Sequence, residues 1–519
     1  MQSHLNTEVP PRDSTEVERR SQPLRSLWHL RGIPLWHLCV YTVLTLYAAI
    51  GSAQRPMNVV LILADDQGAH LSALGTPGVS TPNVDALAEA GVLFTNAFAA
   101  VPSCSPSRSA INTGMYPHRN GHWRNTITPK LTDPDRDFTR QSSRVDAVGI
   151  HEYIRTLPEV LQEAGYFTGI TQKFHMSPPW KFPYTARDPV NNDPEEYRNV
   201  MKEWIAEAGD RPFFIQANVS PPHRPFRNHL SGHPGYLPDT ADLEVSADLP
   251  DTPMLLNDLQ EYFACVQLAD ACAGAIIDAL RESGELENTL IIYSGDQGQA
   301  YQRAKATAYY AGLHVPLVIS GPGVKRGVST DSLASLIDLM PTILAYLELK
   351  VPETVQGKPL WDLIGDGTVV DSPSIARPYV FGEANSHGPP RDEHYPTRIV
   401  FDGRYYYMRN LMPGKAHRLP ADMTEPEPWG NYAYTATIEA AETHPLPYRL
   451  LRQLESGRPA VELYDVTGDP ACTENLAGRP EVAAVERRLG AALDRWRAET
   501  GDLVDDPLNI PTRREAKVP

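Results

Sequence analysis

Cysteine is scarce in this chain, with five in 519 residues, and that excludes the disulfide-stapled scaffold used by small exported domains. Cys39 falls in an N-terminal apolar stretch. Cys265 and Cys272 lie seven apart in the helical-looking run "LNDLQEYFACVQLADACAGAIIDAL". Helix geometry separates their Cα atoms by about 10 Å, past the ~7 Å limit for a bridge, so both read as core residues. Cys104, in a Ser/Pro-rich loop, and Cys472, in a polar one, have no evident partner. Positive charge is also short, at 47 Lys and Arg against 64 Asp and Glu, for a net charge of -17. No basic run in the body of the chain offers a face for nucleic acid, so that partner is excluded. An anionic substrate would require positive charge to be gathered locally. Internal repeats are lacking, which argues against a solenoid or propeller. The remaining composition, 41% hydrophobic and 21% charged, is that of an ordinary globular protein and excludes disorder throughout.

Basic residues do collect at the N-terminus, where Arg19, Arg20, Arg25 and Arg31 precede "LWHLCVYTVLTLYAAI". This stretch is shorter than the about 20 apolar residues that cross a bilayer comfortably. It ends at Gly51 and Ala53, small residues suited to a processing site. Residues 1–53 therefore read as an export signal, with an uncleaved N-terminal anchor as the alternative. Both place the body of the protein outside the cytoplasm, whether periplasmic, secreted or lysosomal.

"MNVVLILADD" is a continuous apolar run closed by two acids, the pattern of a central strand buried on both faces. The segment "TPNVDALAEAG" follows as a helix with Thr81 as cap, Pro82 in the first turn and Gly91 as the stop. Helix-like "LPEVLQEAGY", "PEEYRNVMKEWIAEAG" and "SLIDLMPTILAYL" alternate with strand-like "FTGITQ", "PFFIQANVS", "TLIIYSGD" and "VPLVIS". The expected fold is α/β, with a mostly parallel central sheet and helices on both faces. After about residue 370, short β-rich pieces ("RPYVFGE", "TRIVFDGRYYYMRNL", "VELYDVTG") and a last helix predict a smaller C-terminal α+β subdomain with antiparallel strands. The division is 54–375 for the catalytic domain and 376–519 for the subdomain. The long Pro-, Glu- and Trp-containing loop from Met412 to Trp429 has a length that usually signals function or local disorder.

Ligands of open α/β sheets bind at the carboxyl ends of strands. There the sequence delivers Asp65 and Asp66, Lys173 and His175, His223, and Asp296 with Gln297. A lone acidic pair is usually a solvated turn, and a lone histidine or the Lys305 of "QRAKAT" usually structural or solvated. Acids placed directly after long apolar strands are costly unless a cation pairs them. Oxygen ligands suit a hard divalent ion such as Ca²⁺ or Mg²⁺ better than zinc. Asn218 in "NVS" fits a glycosylation pattern, but its place at the end of an apolar strand marks it as structural.

"CSPSRSAINTG", from Cys104 onward, resembles the signature of the type I sulfatases of the alkaline-phosphatase superfamily. "LADDQG", "QKFH", "SPPH", "SGDQG", "KATAYYAGLHVPLVISGPG" and "ELYDVTGDPACTENLA" extend the resemblance over nearly all of residues 57–500. It implies that Cys104 is oxidised during export to formylglycine, whose hydrate supplies the nucleophile. It implies Asp65, Asp66, Cys104, Asp296 and Gln297 around one cation, usually Ca²⁺, with Mg²⁺ as the alternative. Arg108 would orient residue 104, while Lys173, His175, His223 and Lys305 would bind sulfate and manage protons. Gln297 departs from the usual Asn or His, and Tyr310 stands where many relatives carry an acid.

"VPSCSPSR", "QKFH", "RAKAT" and "VFGEANSH" followed by "RYYYMRNL" look most like sulfamidases, which cleave the N-sulfate of glucosamine in heparin- and heparan-type glycans. His387 and His394 would then reach the sugar. An O-sulfatase on another sulfated polysaccharide or aryl sulfate, and a phosphodiester or phosphonate monoester hydrolase on the same scaffold, are the alternatives. The implied partners are the sulfated carbohydrate and, during maturation, a formylglycine-generating enzyme; a homodimer is left open.

Overall fold

The strand β1 (Asn58–Ala64) is buried along its whole length. Val59, Leu61 and Leu63 enter one hydrophobic core while Val60, Ile62 and Ala64 enter another, which is why the run has no polar face. The computed structural model describes residues 57–126, 131, 147–368, 377–388, 394–502 and 505–511. The expected signal at 1–53 and the junction near residue 375 lie outside the described residues.

A nine-stranded sheet is built from β1 with β2 (Gly91–Phe98), β3 (Phe167–Thr171), β4 (Ala186–Asp188), β5 (Phe213–Val219), β6 (Thr289–Gly295), β7 (His314–Ser320), β8 (Val328–Thr330) and β9 (Ala334–Ser335). The order is β4-β3-β5-β1-β6-β7-β2-β8, with β9 beside β2. β5 and β6 flank β1 in parallel register, so three strands end together at one edge. β7 runs antiparallel to both its neighbours. Its "VPLVIS" run is buried like that of a parallel strand, and burial alone carries no direction. β2 begins at Gly91, the residue expected only to stop the preceding helix.

Helices α1 (Pro82–Glu89), α2 (Cys104–Thr113), α3 (Pro194–Ala208) and α4 (Pro253–Glu282) are followed by α5 (Leu339–Tyr346) and α6 (Ala483–Thr500). Leu268, Cys272 and Ile276 of α4 pack with Tyr197, Met201 and Trp204 of α3 over one face of the sheet. Helix α4 is long and apolar enough to span a bilayer, yet most of that stretch is buried in the fold. Leu339, Ile343 and Leu344 of α5 cover the other face. A four-stranded antiparallel sheet, β10 (Val380–Ala384), β11 (Thr397–Phe401), β12 (Tyr405–Asn410) and β13 (Val461–Asp465), joins that same core through Val380, Ile399 and Met408. Leu489, Leu493 and Trp496 of α6 close its opposite side. Cys104, Cys265, Cys272 and Cys472 are all free and buried; Cys472 belongs to the main core despite its polar neighbours in sequence.

Candidate active site

Asp65 and Asp66 follow β1, and Asp296 and Gln297 follow β6. At Gly295 a Cβ would lie 2.1 Å from the Gln67 carbonyl oxygen. Glycine there lets the two strand ends touch, so that the Asp66 amide donates to Asp296 Oδ1 at 3.0 Å. Helix α2 starts at Cys104 against this edge, and all ten of its residues are buried. Its hydroxyls hold it in place. Ser107 donates to the Asp296 carbonyl, while Ser105 and Ser109 bond the two ring nitrogens of His122 at 2.8 and 2.7 Å. Residue 104 thereby sits at a helix N-terminus, whose free N–H groups and dipole favour an anion.

The charged groups interlock around that position. Arg108 Nη2 approaches Asp296 Oδ2 at 2.9 Å and Asp65 Oδ1 at 3.3 Å. Lys173 Nζ bonds Asp65 Oδ2 at 2.6 Å, and its backbone is fixed by Asn218, whose amide donates to the Lys173 carbonyl at 2.6 Å. That gives Asn218 the structural role expected of it. Lys305 Nζ lies 2.8 Å from Asp66 Oδ2 and 3.4 Å from His223 Nε2. His223 Nδ1 donates to the Arg224 carbonyl at 2.5 Å, so Nε2 is the nitrogen left to face Lys305. His175 Nε2 donates to the Thr126 carbonyl at 3.2 Å, and its buried Nδ1 has no hydrogen-bond partner among the described residues. Asp66 and His175 both have left-handed backbones, with φ of 63° and 39°, a strain typical of functional edges.

Burial raises the Asp65 carboxyl, but Lys173, His223 and Arg108 outweigh it and hold the group well below its ordinary value. For Asp296 burial wins over Arg108 and pushes the group up to about 7. Burial likewise pushes the Cys104 thiol far up, so the unmodified cysteine would carry almost no thiolate and be a poor nucleophile. Burial and then Lys305 lower His223, and burial and then Lys173 lower His175. Both imidazoles are neutral at pH 7.

Asp65 Oδ1, Asp296 Oδ2 and Gln297 Oε1 are buried and accept no hydrogen bond from the described residues. The two carboxylate oxygens share a single Arg108 nitrogen as their ion-pair partner. Asp65, Cys104 and Asp296 offer ligand atoms within 4.8 Å of one another, as do Asp66, Cys104 and His223. Buried hard oxygens that exceed the one guanidinium available to them fit a divalent cation. Gln297 turns its amide NH₂ towards Asp66 and towards Cys104 Sγ, 3.2 Å away; a half-turn of that amide exchanges donor for acceptor.

His387 reaches the site from beyond β10. Its Nδ1 bonds Ser103 Oγ and its Nε2 accepts from Asn125, both at 3.1 Å, and burial lowers it to about 4. His394 instead packs edge-on against Trp123 at 5.3 Å. Asp422, in the Met412–Trp429 loop, had no signal of its own in the sequence. It sits 2.8 Å from Lys305 Nζ and 4.0 Å from His387 Nε2. Ser103, His122 and Asn125 likewise carry no sequence signal, because they act by touching other site residues.

A cation-ready acidic pocket at the carboxyl edge of an α/β sheet, lined by lysine and histidine, defines a hydrolase for a tetrahedral oxyanion. Residues 57–349 match the Sulfatase family, and the chain belongs to it: the protein is a sulfatase. The family implies a metal and a formylglycine, and the buried Asp and Cys group fits both. The chain is similar to human N-sulphoglucosamine sulphohydrolase, at 29% identity over 86% of this chain and 91% of that protein. It is also similar to an ulvan-active sulfatase of Formosa agariphila, at 27% over 86% and 76%. A solved sulfatase structure from the glycosaminoglycan metabolism of Bacteroides thetaiotaomicron aligns with TM-score 0.64, 18% identity and coverage of 87% and 97%. Phosphonate monoester hydrolase of Agrobacterium radiobacter aligns with 0.60, 19%, 86% and 96%, so the fold by itself does not separate sulfate from phosphonate chemistry.

Proposed function

We propose that the protein removes the N-sulfate of glucosamine in heparin- or heparan-type glycans, with residue 104 as formylglycine and Ca²⁺ held by Asp65, Asp66, Asp296 and Gln297. The supporting observation is His387, held beside the Lys305–Asp422 pair on the side of the pocket that His223 and Lys305 share. The near full-length similarity to the human sulphohydrolase supports the same substrate. When bound, the cation supplies positive charge that polarises a sulfate oxygen and acidifies the attacking hydroxyl. A hydrated formylglycine at residue 104 would supply that hydroxyl and a second one whose deprotonation would allow sulfate to leave.

Arg108, locked between Asp65 and Asp296, fixes the orientation of residue 104. Lys173 and Lys305 place two positive charges against the sulfuryl oxygens, where charge spreads as the bond breaks. Neutral His223 gains a proton more readily once the anionic substrate offsets Lys305, and its Nε2 delivers that proton to the departing nitrogen. His175, whose buried Nδ1 has no hydrogen-bond partner among the described residues, moves protons to and from residue 104. The basic and then apolar N-terminal 53 residues support export. Hydrolysis of N-sulfoglucosamine tests the reading, measured beside glucosamine 6-O-sulfate and a phosphodiester. Release of sulfate from the O-sulfate alone would replace it with the O-sulfatase reading, which the similarity to an ulvan-active enzyme supports.

A further inference from the structure

Asp422 is a carboxylate in a pocket built for an anion. A negative charge there opposes sulfate binding unless it serves something else. It is nonetheless firmly anchored. Asn431 donates to the Asp422 carbonyl at 3.0 Å, and Arg224, clamped on Asp258 at 2.8 and 2.6 Å, donates to the Gly430 carbonyl at 2.8 Å. Its carboxylate contacts Lys305 and His387, and Lys305 in turn stands 3.4 Å from His223 Nε2. His223 Nε2 is the atom assigned above to the departing nitrogen, and Lys305, set against the sulfuryl oxygens, bridges it to Asp422. Burial raises Asp422, but Lys305 and His387 hold it below the usual carboxylate range, so it is ionised.

An alcohol leaving group takes one proton and departs neutral. When an S–N bond breaks, its electron pair stays on nitrogen, which takes a proton from the site and leaves as an amine. Near neutral pH that amine takes a further proton from water, as α-amino groups do, and becomes an ammonium. A carboxylate beside the departing atom favours the nitrogen case and gives the oxygen case nothing. The geometry points to Asp422 as a specificity-determining residue that receives the amino group of the leaving glucosamine and so favours N-sulfate over O-sulfate. This rests on the N-sulfate reading above.

The test uses the full chain carrying converted residue 104, as wild type, Asp422→Asn and Asp422→Glu. The ratio of kcat/KM for N-sulfoglucosamine to that for glucosamine 6-O-sulfate should fall about 10- to 100-fold in Asp422→Asn, the scale of one lost charged hydrogen bond, and recover in part in Asp422→Glu. Calorimetric binding gives a readout apart from turnover: wild type should bind glucosamine more tightly than N-acetylglucosamine, and Asp422→Asn should lose the preference. Equal losses on both substrates with the amine preference intact would mean that Asp422 only positions Lys305, overturning the proposal while leaving the N-sulfate reading in place. A wild type that cleaves O-sulfate but no N-sulfate overturns both. If Asp422→Asn does not fold, lack of amine preference in the wild type overturns the proposal without it.

Discussion

Arg108 and Asp296 face each other at 2.9 Å with both side chains wholly cut off from solvent. The same guanidinium stands 3.3 Å from Asp65, so one planar cation ties the acids of two adjacent strand ends to the helix that carries Cys104. A buried ion pair of this kind is strongly destabilising to break, because the partner charge is left uncompensated.

Replacing Arg108 with alanine should therefore cost about 3–5 kcal/mol in urea unfolding. Arg108→Lys keeps the charge but loses the fork. It should retain more stability than the alanine variant yet still lose most of kcat, and equal stability losses in the two variants would contradict the bridging role.

Cys104 is only 1% exposed, at the start of a helix with no exposed residue. A modifying enzyme cannot reach it in the folded chain, so conversion should precede folding. Peptide mass spectrometry should find an aldehyde at position 104 in protein from a host able to convert it. Folded thiol-form protein given the same enzyme afterwards should stay unconverted. Cys104→Ala should fold and lose activity on the order of 10³-fold or more.

The buried oxygens of Asp65, Asp296 and Gln297, which accept no hydrogen bond from the described residues, predict a metal effect on stability as well as on turnover. Chelation should lower the midpoint of thermal unfolding, and Ca²⁺ at 100 times its Kd should restore about 2.7 kcal/mol. Asp296→Asn should blunt this response, and a midpoint indifferent to chelator would count against a cation at this site.

His122 braces the Cys104 helix, and burial, followed by Arg124, lowers it from 6.5 to about 3. A folded-state value below the unfolded one means that the unfolded chain takes the proton first as pH falls. The stabilisation from neutral His122 is thus complete above pH 6.5 and is lost progressively towards about pH 3. Midpoints measured from pH 7.5 to 4.5 should fall with acidity, and His122→Asn should flatten that fall at the cost of lower stability at pH 7.5.

Much of this was legible in the residue order, for physical reasons that also mark its limits. β1 could be read because an apolar run buried on both faces stops abruptly at Asp65 and Asp66. Those acids, Cys104 and Asp296 come together as strand-end logic and the CSPSR motif implied. Lys305 had no strand to place it, and only the resemblance singled it out. β2 carries a weak strand pattern because Thr95 and Asn96 interrupt its apolar run where the pairing with β7 shifts register. Asp422 was invisible, since a tertiary contact between a loop and a distant lysine leaves no periodicity in either segment.

Asp65, Asp66, Lys173, His223 and Asp296 follow the ends of β1, β3, β5 and β6 and Cys104 opens α2, whereas His387 and Asp422 arrive from the last third of the chain. On the roles proposed above, the leaving group would be chosen by a segment the chain adds long after the strand ends that hold the cation ligands, so acceptance and cleavage would have separate addresses in the sequence.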